Sequence, residues 1–286
     1  LVVRDPGGQV VVNVNDNDFH ADMVGQIRDY GGPNPEIALL GYTGAGPYPQ
    51  TYYDDPCVLM QRAAEKKLEF FRRYRIMRDA INPKVAVPFA GKYWLGGKLV
   101  DLKAFRGVAD AVEVLEFDDR AVVLADGGAA SIDTATLQPT AVRTQGYEPE
   151  SIKAFLESIR SAPMDYERNF RSLSTQRVPY RSLLLRSYEN ALKRSMCQSD
   201  YYLGVVLSDC VFVCNANANN SQYWFRTDMV GLEPRSEVRV DLRYLFGLIT
   251  RVYHWNNAEI GSHLTVQRVP DVFDRTAQHF LDFFYV

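Results

Sequence analysis

The residues best suited to chemistry begin with a polar segment that follows a predicted strand near the start of the chain. Residues 13–20 read NVNDNDFH and contain Asp16, Asp18 and His20. Carboxylates suit a hard or borderline cation, an imidazole can add a further ligand, and polar strand ends are common ligand sites in α/β proteins. We therefore predict catalytic roles for Asp16 and His20, and metal binding by Asp16 and Asp18. The alternative is that Asp18 caps the helix that starts near Phe19, with His20 solvated in its first turn.

A glycine-rich loop follows the next predicted strand. Residues 41–49 read GYTGAGPYP, and glycine lets a backbone approach a ligand closely while its amides can hold an anion such as phosphate. The segment is not a P-loop, because the Gly-Lys-Ser/Thr ending is absent. We predict substrate contacts by Gly44, Gly46 and Tyr48. The alternative is a structural loop that is filled by its tyrosines.

A third segment, residues 88–97, reads PFAGKYWLGG and also follows a predicted strand. Its position after a strand places it on the same rim as the first two segments. Lys92 and Tyr93 are therefore predicted to contact a charged substrate. The alternative is a glycine-bounded hairpin with an exposed Lys92.

A fourth polar segment lies near the end of the chain, where residues 254–263 read HWNNAEIGSH. The spacing of its two histidines does not match a helical metal pair. We predict that His254, Asn257 and Glu259 contact the substrate from a polar loop. The alternative is that the polar side chains only tie the loop together through bonds to its backbone.

Composition narrows the class of protein. The chain has 286 residues, 47% of them hydrophobic and 23% charged, and a formal net charge of -3. This is ordinary globular composition, and it gives no reason to expect nucleic acid as a partner. The four cysteines show no Cys-x-x-Cys spacing, which favours reduced thiols and a cytoplasmic location. No apolar run approaches the ~18 residues of a membrane span, so none is expected.

The order of predicted elements positions these segments. A hairpin over residues 1–14 is followed by a helix at 19–29, a strand at 37–40, a helix at 58–81 and a strand at 84–87, which is typical of βαβ units. The basic residues on the second helix are expected to form a solvated face. Three short strands are then predicted at 111–117, 121–125 and 131–137.

The second half of the chain has a different pattern. Residues 148–199 read as a basic helical connector, and residues 200–286 as a meander followed by a helix, a strand and a terminal helix. We therefore predict three parts, over residues 1–147, 148–199 and 200–286. The fold class expected is α/β in the first part and α+β in the last.

Three strings in this order, VVVNVND, EIALLGYTGAGPYPQ and KVAVPFAGKYWLGG, resemble the distal half of the metallo-β-lactamase fold. They look most like the branch with the CMP-N-acetylneuraminate and UDP-N-acetylmuramate hydroxylases, as does HWNNAEIGSH. Residues 200–286 weakly resemble a sterol-carrier-like domain. The resemblance implies the distal half of an αββα sandwich followed by a smaller α+β domain.

The resemblance also implies a metal site, of which this chain holds a part. Asp16 matches the distal Asp that binds metal in the family, whereas the later His, expected near Pro88, and the His-x-His-x-Asp-His motif are absent. A zinc or iron site would thus be incomplete here. The abrupt start at Leu1 and the scarcity of histidine lead us to expect a missing N-terminal half or a partner chain.

The function implied by the resemblance is that of a metal-dependent hydrolase that acts on a sugar nucleotide or another phosphorylated glycan precursor. The first alternative is an N-acetyl-sugar hydroxylase, a Rieske-type iron oxygenase whose cluster ligands are absent from this chain. The second is a non-catalytic binding or assembly module. A small anionic substrate is the expected partner. The resemblance of residues 200–286 to a sterol-carrier-like domain implies a homo-oligomer by analogy.

Overall fold

The computed structural model describes residues 1–15, 17, 20–91, 93–124, 128–133, 139–142 and 149–286. Its architecture is mixed α/β with two mixed sheets. The chain divides into two compact units, which interleave along the sequence. Unit 1 comprises Leu1–Ala45, Met60–Trp94 and Lys103–Arg160, and unit 2 comprises Gly46–Leu59, Leu95–Leu102 and Ser161–Val286. The three consecutive parts expected from the sequence stay a prediction.

Unit 1 is built on a four-stranded sheet in the order β1-β2-β3-β4. The first two strands form the antiparallel hairpin predicted, and β2, β3 and β4 are parallel to one another. Their carboxyl ends therefore lie at one edge of the sheet. The strands and the two helices that connect the parallel ones are β1 (Val2–Arg4), β2 (Val10–Asn15), α1 (Ala21–Gly31), β3 (Ile37–Gly41), α2 (Pro56–Ile81) and β4 (Val85–Phe89).

The core of unit 1 follows from the spacing of its apolar residues. Alternate residues of β2 are buried, as expected for a strand with one covered face. On α2, buried side chains recur every three or four residues: Phe71, Tyr74, Met77 and Ile81. The Tyr74 hydroxyl donates a hydrogen bond of 2.8 Å to the buried Asp118 carboxylate, which also pairs with Arg78 at 3.2 Å.

The three strands predicted between residues 111 and 137 are largely wrong. Ala111–Glu116 is a 3-10 helix, because Asp110 and Glu113 form a capping box at its start. Ala121 forms only an isolated bridge with Ala86. A short strand, β5 (Ala130–Ile132), does pair with β6 (Pro139–Val142), and residues 134–138 lie outside the described part of the chain. The helix α3 (Pro149–Arg160) follows.

Unit 2 contains a five-stranded sheet in the order β11-β10-β7-β8-β9. The predicted meander is confirmed as β7, β8 and β9, while β10 pairs in parallel with β7. The strands are β7 (Tyr202–Val206), β8 (Val211–Asn215), β9 (Tyr223–Arg226), β10 (Arg235–Val240) and β11 (Leu264–Val269). The helices are α4 (Asp165–Asn169), α5 (Tyr180–Ser195), α6 (Leu242–Ile249), α7 (Trp255–Ile260) and α8 (Arg275–Leu281).

The core of unit 2 lies between this sheet and its helices. Leu184 of α5, Phe212 of β8, Leu245 of α6 and Phe280 of α8 belong to one fully buried cluster. The predicted connector helix is therefore part of this core. Asp241 caps α6 as expected, since its side chain accepts from the Arg243 amide. Within the described residues, no helix is both long and apolar enough to cross a membrane.

The predicted polar loop at 254–263 is wrong, because the segment forms the short helix α7. His254 is its N-cap residue, and Trp255 is buried with its indole Nε1 donating to the Phe284 carbonyl at 2.8 Å. Ala258 is buried one turn later. The Trp255–Ala258 spacing thus gives the segment an apolar helical face that its polar composition conceals.

Candidate functional site

Unit 1 contains a cleft of ≈ 690 Å³ at the carboxyl ends of β2 and β3, against α2. We call it the strand-end cleft. The strand ends and the loops after them form one side of the cleft. The helix α2 forms the other side with one aromatic ring, two arginines and two aliphatic or thioether side chains. The described residues that line it are Val14, Asn15, Asn17, His20, Gly41, Thr43, Gly44, Ala45, Phe70, Arg72, Arg73, Ile76 and Met77.

Irregular backbone at the end of β2 shapes one side of the strand-end cleft. Asn15 has φ 49°, in the left-handed region that asparagine tolerates, and the register with β3 shifts between Asn13 and Asn15. The Asn17 side chain donates to the Val14 carbonyl at 2.6 Å, which closes the turn. This turn places Asn15 and Asn17 on the cleft wall.

Glycine is required where the loop after β3 meets α2. A Cβ on Gly44 would lie 2.8 Å from Cζ of Phe70, so a side chain there would push the ring. Gly91, in the loop after β4, lies even closer to Thr43, because a Cβ on it would be 2.3 Å from Cγ2 of Thr43. The loops that follow β3 and β4 are therefore packed together, as expected for neighbouring parallel strands.

Thr43 offers the cleft an unused hydroxyl. The residue is 5% exposed, and its Oγ1 has no hydrogen-bond partner in the described part of the chain. Buried polar atoms are nearly always bonded, so an unbonded one in a cavity wall is explained by a ligand or a water. Thr43 is therefore the polar residue of this wall that we take as the candidate contact for a bound molecule.

Positive charge lies along the α2 wall. Glu69 accepts two hydrogen bonds from Arg72, at 2.7 and 2.8 Å, and one from Arg73, at 3.0 Å. These bonds lower the pKa of Glu69 to about 2, so the carboxylate is ionised at neutral pH. Two guanidinium groups thus line this wall of the cleft. This wall therefore favours an anionic ligand, although solvent weakens the attraction at this exposed surface.

The predicted metal ligands are tested only in part. His20 lines the cleft as the exposed N-cap of α1, with no side-chain capping bond, while Asp16 and Asp18 lie outside the described residues. His20 is the one acid, cysteine or histidine among the described lining residues. No group of three such residues that could hold a metal occurs in the described part of the chain. The described donors therefore do not by themselves fit a zinc or iron site.

The predicted substrate contacts are divided between the two units. Gly44 and Tyr93 belong to unit 1, and Tyr93 stacks on Arg106, with 4.2 Å from its ring centroid to the guanidinium carbon. Lys92 lies outside the described residues. Gly46 and Tyr48 belong to unit 2, where the Gly46 carbonyl accepts from Gln50 at 2.7 Å and the Tyr48 ring is packed against two further tyrosine rings.

Glu259 lines a narrow cavity in unit 2, which we call the Glu259 cavity. Its water-accessible volume is ≈ 30 Å³, and its walls combine aliphatic and aromatic side chains with a few polar groups. Burial raises the pKa of Glu259 to about 7, and the nearby Asp282 charge adds to this effect. The lining residues are Tyr52, Tyr201, Ser236, Val238, Glu259, Val266, Arg268, Phe273, Asp274, Ala277, Gln278 and Leu281.

A buried guanidinium and a hydroxyl pair share this cavity. The Arg268 side chain is 9% exposed and pairs with Asp271 at 2.9 Å, while its Nε has no partner in the described part of the chain. The Tyr201 and Ser236 hydroxyls are bonded to each other at 2.7 Å. There is room here for little more than a water molecule, which could bond to the free Arg268 N–H.

The other two residues predicted in this segment face elsewhere. His254 and Asn257 line a separate cavity of ≈ 300 Å³. They lie three residues apart on α7 and so share a face, whereas Glu259 is two residues further and points to another side of the helix. The predicted trio is thus not one cluster, because the segment is a helix.

Sequence reasoning missed several residues of the strand-end cleft. Thr43 lies inside the predicted glycine-rich loop, but its sequence gives no sign that its hydroxyl is buried and unbonded. Phe70, Arg73 and Met77 lie at helical spacing on α2, and this spacing was available as a signal. The sequence predicts only a solvated face for the basic residues of this helix, Arg73 among them, and neither Phe70 nor Met77 is predicted to line a site.

No protein-family model, no curated protein and no solved structure matches this chain. The resemblance to the metallo-β-lactamase branch therefore stays a prediction. The structure itself shows a mixed α/β protein with two mixed sheets and a cleft at the carboxyl edge of the first.

Proposed function

We propose that unit 1 binds a small anionic substrate, a sugar nucleotide or another phosphorylated glycan precursor, in the strand-end cleft and that the protein hydrolyses it. The observation that carries this proposal is the buried, unbonded Thr43 hydroxyl in the wall of a cleft at the carboxyl ends of parallel strands. Ligands of open α/β sheets commonly bind at this edge.

The size and lining of the cleft support this class of substrate. A volume of ≈ 690 Å³ lies within the range of small-molecule sites, which is roughly 300–1,000 Å³. The Phe70 ring and Ile76 provide apolar surface for the face of a sugar or base. Arg72 and Arg73 attract the phosphate groups, and Asn15 and Thr43 can bond to hydroxyls or carbonyls.

Metal dependence is a separate prediction. When bound, zinc or iron would supply an activated water. Metal analysis of the purified chain tests this: the predicted result is zinc or iron in stoichiometric amount that is lost in Asp16→Ala. A chain that binds substrate and contains no metal in either form contradicts the metal-dependent version.

The binding experiment is a calorimetric titration with UDP-N-acetylglucosamine as the probe. One hydrogen bond contributes about 0.5–1.5 kcal/mol, so Thr43→Val should weaken binding roughly 2- to 10-fold. The control is Thr265→Val, at an exposed position of β11, which should bind as the wild type does. Absence of binding to the wild type, or equal binding by Thr43→Val, contradicts the proposal.

Turnover separates the hydrolase from a non-catalytic binding module. We expect the wild type to release a uridine nucleotide or free sugar from the bound probe or from a related phosphorylated sugar. Tight binding without product in the presence of added zinc or iron would favour the binding module, which uses the same cleft.

A further inference from the structure

A polar cavity of ≈ 300 Å³ lies wholly within unit 2, and we call it the Arg251 cavity. Five polar side chains line it together with aromatic and aliphatic ones: Arg251, His254, Asn256, Asn257 and Asp282. Within the described part of the chain, none of these five side chains has a hydrogen bond or an ion pair. Several polar groups that converge on one cavity are typical of small-molecule sites.

The arginine occupies a backbone position that glycine usually fills. It follows Thr250, the C-cap of α6, and has φ 63°, in the left-handed region. The Val252 amide donates to the Gly247 carbonyl at 2.8 Å, and the Arg251 amide donates to the Leu248 carbonyl at 3.1 Å. These two bonds form the Schellman pattern, in which glycine is the usual left-handed residue. A residue other than glycine costs conformational free energy there, and such residues are concentrated at ligand sites.

A buried tyrosine orients the Arg251 guanidinium, whose carbon lies 4.6 Å from the ring centroid of Tyr285. Tyr285 is itself held in place, because Asn190 donates to its carbonyl at 3.1 Å and Arg194 donates to its hydroxyl. Stacking on an aromatic ring uses the face of a guanidinium and leaves the N–H donors at its edge for a ligand. The cation is thus oriented before a ligand binds, which lowers the entropic cost of binding.

An opposite charge lines the same cavity. Asp282, at the end of α8, contributes a carboxylate, and no ion pair joins it to Arg251 in the described structure. A cation and an anion that share a cavity without pairing are complementary to a ligand that carries both charges on separate groups. The His254 imidazole and the amides of Asn256 and Asn257 add hydrogen-bond donors and acceptors. The cavity therefore fits a small zwitterion.

We propose that the Arg251 cavity binds a free α-amino acid, as a ligand separate from the substrate of unit 1. The Arg251 guanidinium and the His254 imidazole bind its carboxylate, and the Asp282 carboxylate binds its ammonium group. A volume of ≈ 300 Å³ is at the lower end of the range of small-molecule sites, which suits a molecule of this size. The lining residues all belong to unit 2, so this site does not rest on the function proposed above.

The test is thermal unfolding of the full chain with each of the standard L-amino acids, then calorimetric titration of the one that raises the melting temperature most. A ligand that binds only the folded state raises this temperature. Arg251→Gln should bind that amino acid roughly 10- to 100-fold more weakly, since hydrogen bonds between charged groups are the strong ones. Arg186→Gln is the matched control, because Arg186 is an exposed arginine of α5 that does not line the cavity.

Ligand derivatives test the two charges separately. The N-acetyl derivative of the same amino acid lacks the ammonium charge, so it should bind the wild type roughly 10-fold more weakly and bind Asp282→Asn as it binds the wild type. Both substituted residues are exposed, so without ligand the variants should melt as the wild type does. If Arg251→Gln does not fold, Asp282→Asn takes its place and should also lose affinity for the free amino acid.

Three results would overturn the site. They are the absence of stabilisation by any amino acid, equal binding by the wild type and Arg251→Gln, and an N-acetyl derivative that binds as tightly as the free amino acid.

Discussion

Glu259→Gln should make unit 2 more stable at alkaline pH and change the pH dependence of unfolding. The carboxyl group is ordinarily half-ionised at pH 4.5, and burial beside Asp282 raises its pKa to about 7 in the folded chain. The folded state therefore holds a proton that the unfolded state has already released. The protonated carboxyl group makes its full contribution to the free energy of unfolding below pH 4.5. This contribution is lost as the pH rises through about 7.

The magnitude follows from the difference between the two pKa values. One pKa unit corresponds to about 1.4 kcal/mol. Ionisation of Glu259 should therefore lower the free energy of unfolding of the wild type by about 2–3 kcal/mol between pH 5 and pH 8. Glutamine keeps the shape and a hydrogen bond to Gln278 but cannot ionise. The variant should therefore lose less stability than the wild type over this range.

Urea unfolding at pH 5 and pH 8, followed by far-UV circular dichroism and Trp fluorescence, gives the two free energies of unfolding. Glu233→Gln, whose side chain is 60% exposed in the same unit, is the matched control and should follow the wild type at both pH values. A difference between wild type and Glu259→Gln that is the same at pH 5 and pH 8 would refute the assignment of a buried, near-neutral carboxyl.

Three further predictions concern unit 1. Tyr74→Phe removes the hydrogen bond to the buried Asp118 carboxylate and should lower the free energy of unfolding by about 1–3 kcal/mol. Urea unfolding measures this loss, and an unchanged free energy would show that the bond does not stabilise the fold. Gly44→Ala, with a Cβ 2.8 Å from an aromatic ring of the cleft wall, should weaken binding of UDP-N-acetylglucosamine several-fold, whereas Gly25→Ala, in open space, should not. Burial lowers the pKa of Lys66 from 10.5 to about 8 in the folded chain. Between these pH values the unfolded chain holds a proton that the folded chain has released, so the free energy of unfolding of the wild type should rise with pH. Unfolding of Lys66→Met should lack that rise; an equal rise would contradict the burial of this charge.

The first sheet of unit 1 could be predicted because its signals are local. Alternating valines in β2, the turn residues at 5–8 and the long apolar periodicity of α2 each favour one structure. The segment around Val114 could not be predicted in the same way. Its alternating apolar residues are typical of a strand, yet only Val114 is fully buried and Val112 is half-exposed, because the Asp110 capping box starts a 3-10 helix.

The candidate site shows a similar division. The polar cluster after β2 and the glycines after β3 indicated these two loops, since polar strand ends and close backbone approach are typical of ligand sites. The burial of Thr43 depends on long-range packing of Gly91 against the loop after β3. Sequence spacing carries no information about such contacts.

The central claim is that the strand-end cleft holds a phosphorylated sugar. A crystal structure of the chain grown with saturating UDP-N-acetylglucosamine tests it most directly. We predict density for the ligand in this cleft, with a ligand oxygen or nitrogen within hydrogen-bonding distance of Thr43 Oγ1. Density for the nucleotide only in another cavity, or an empty strand-end cleft at a concentration that saturates binding in solution, would contradict the account.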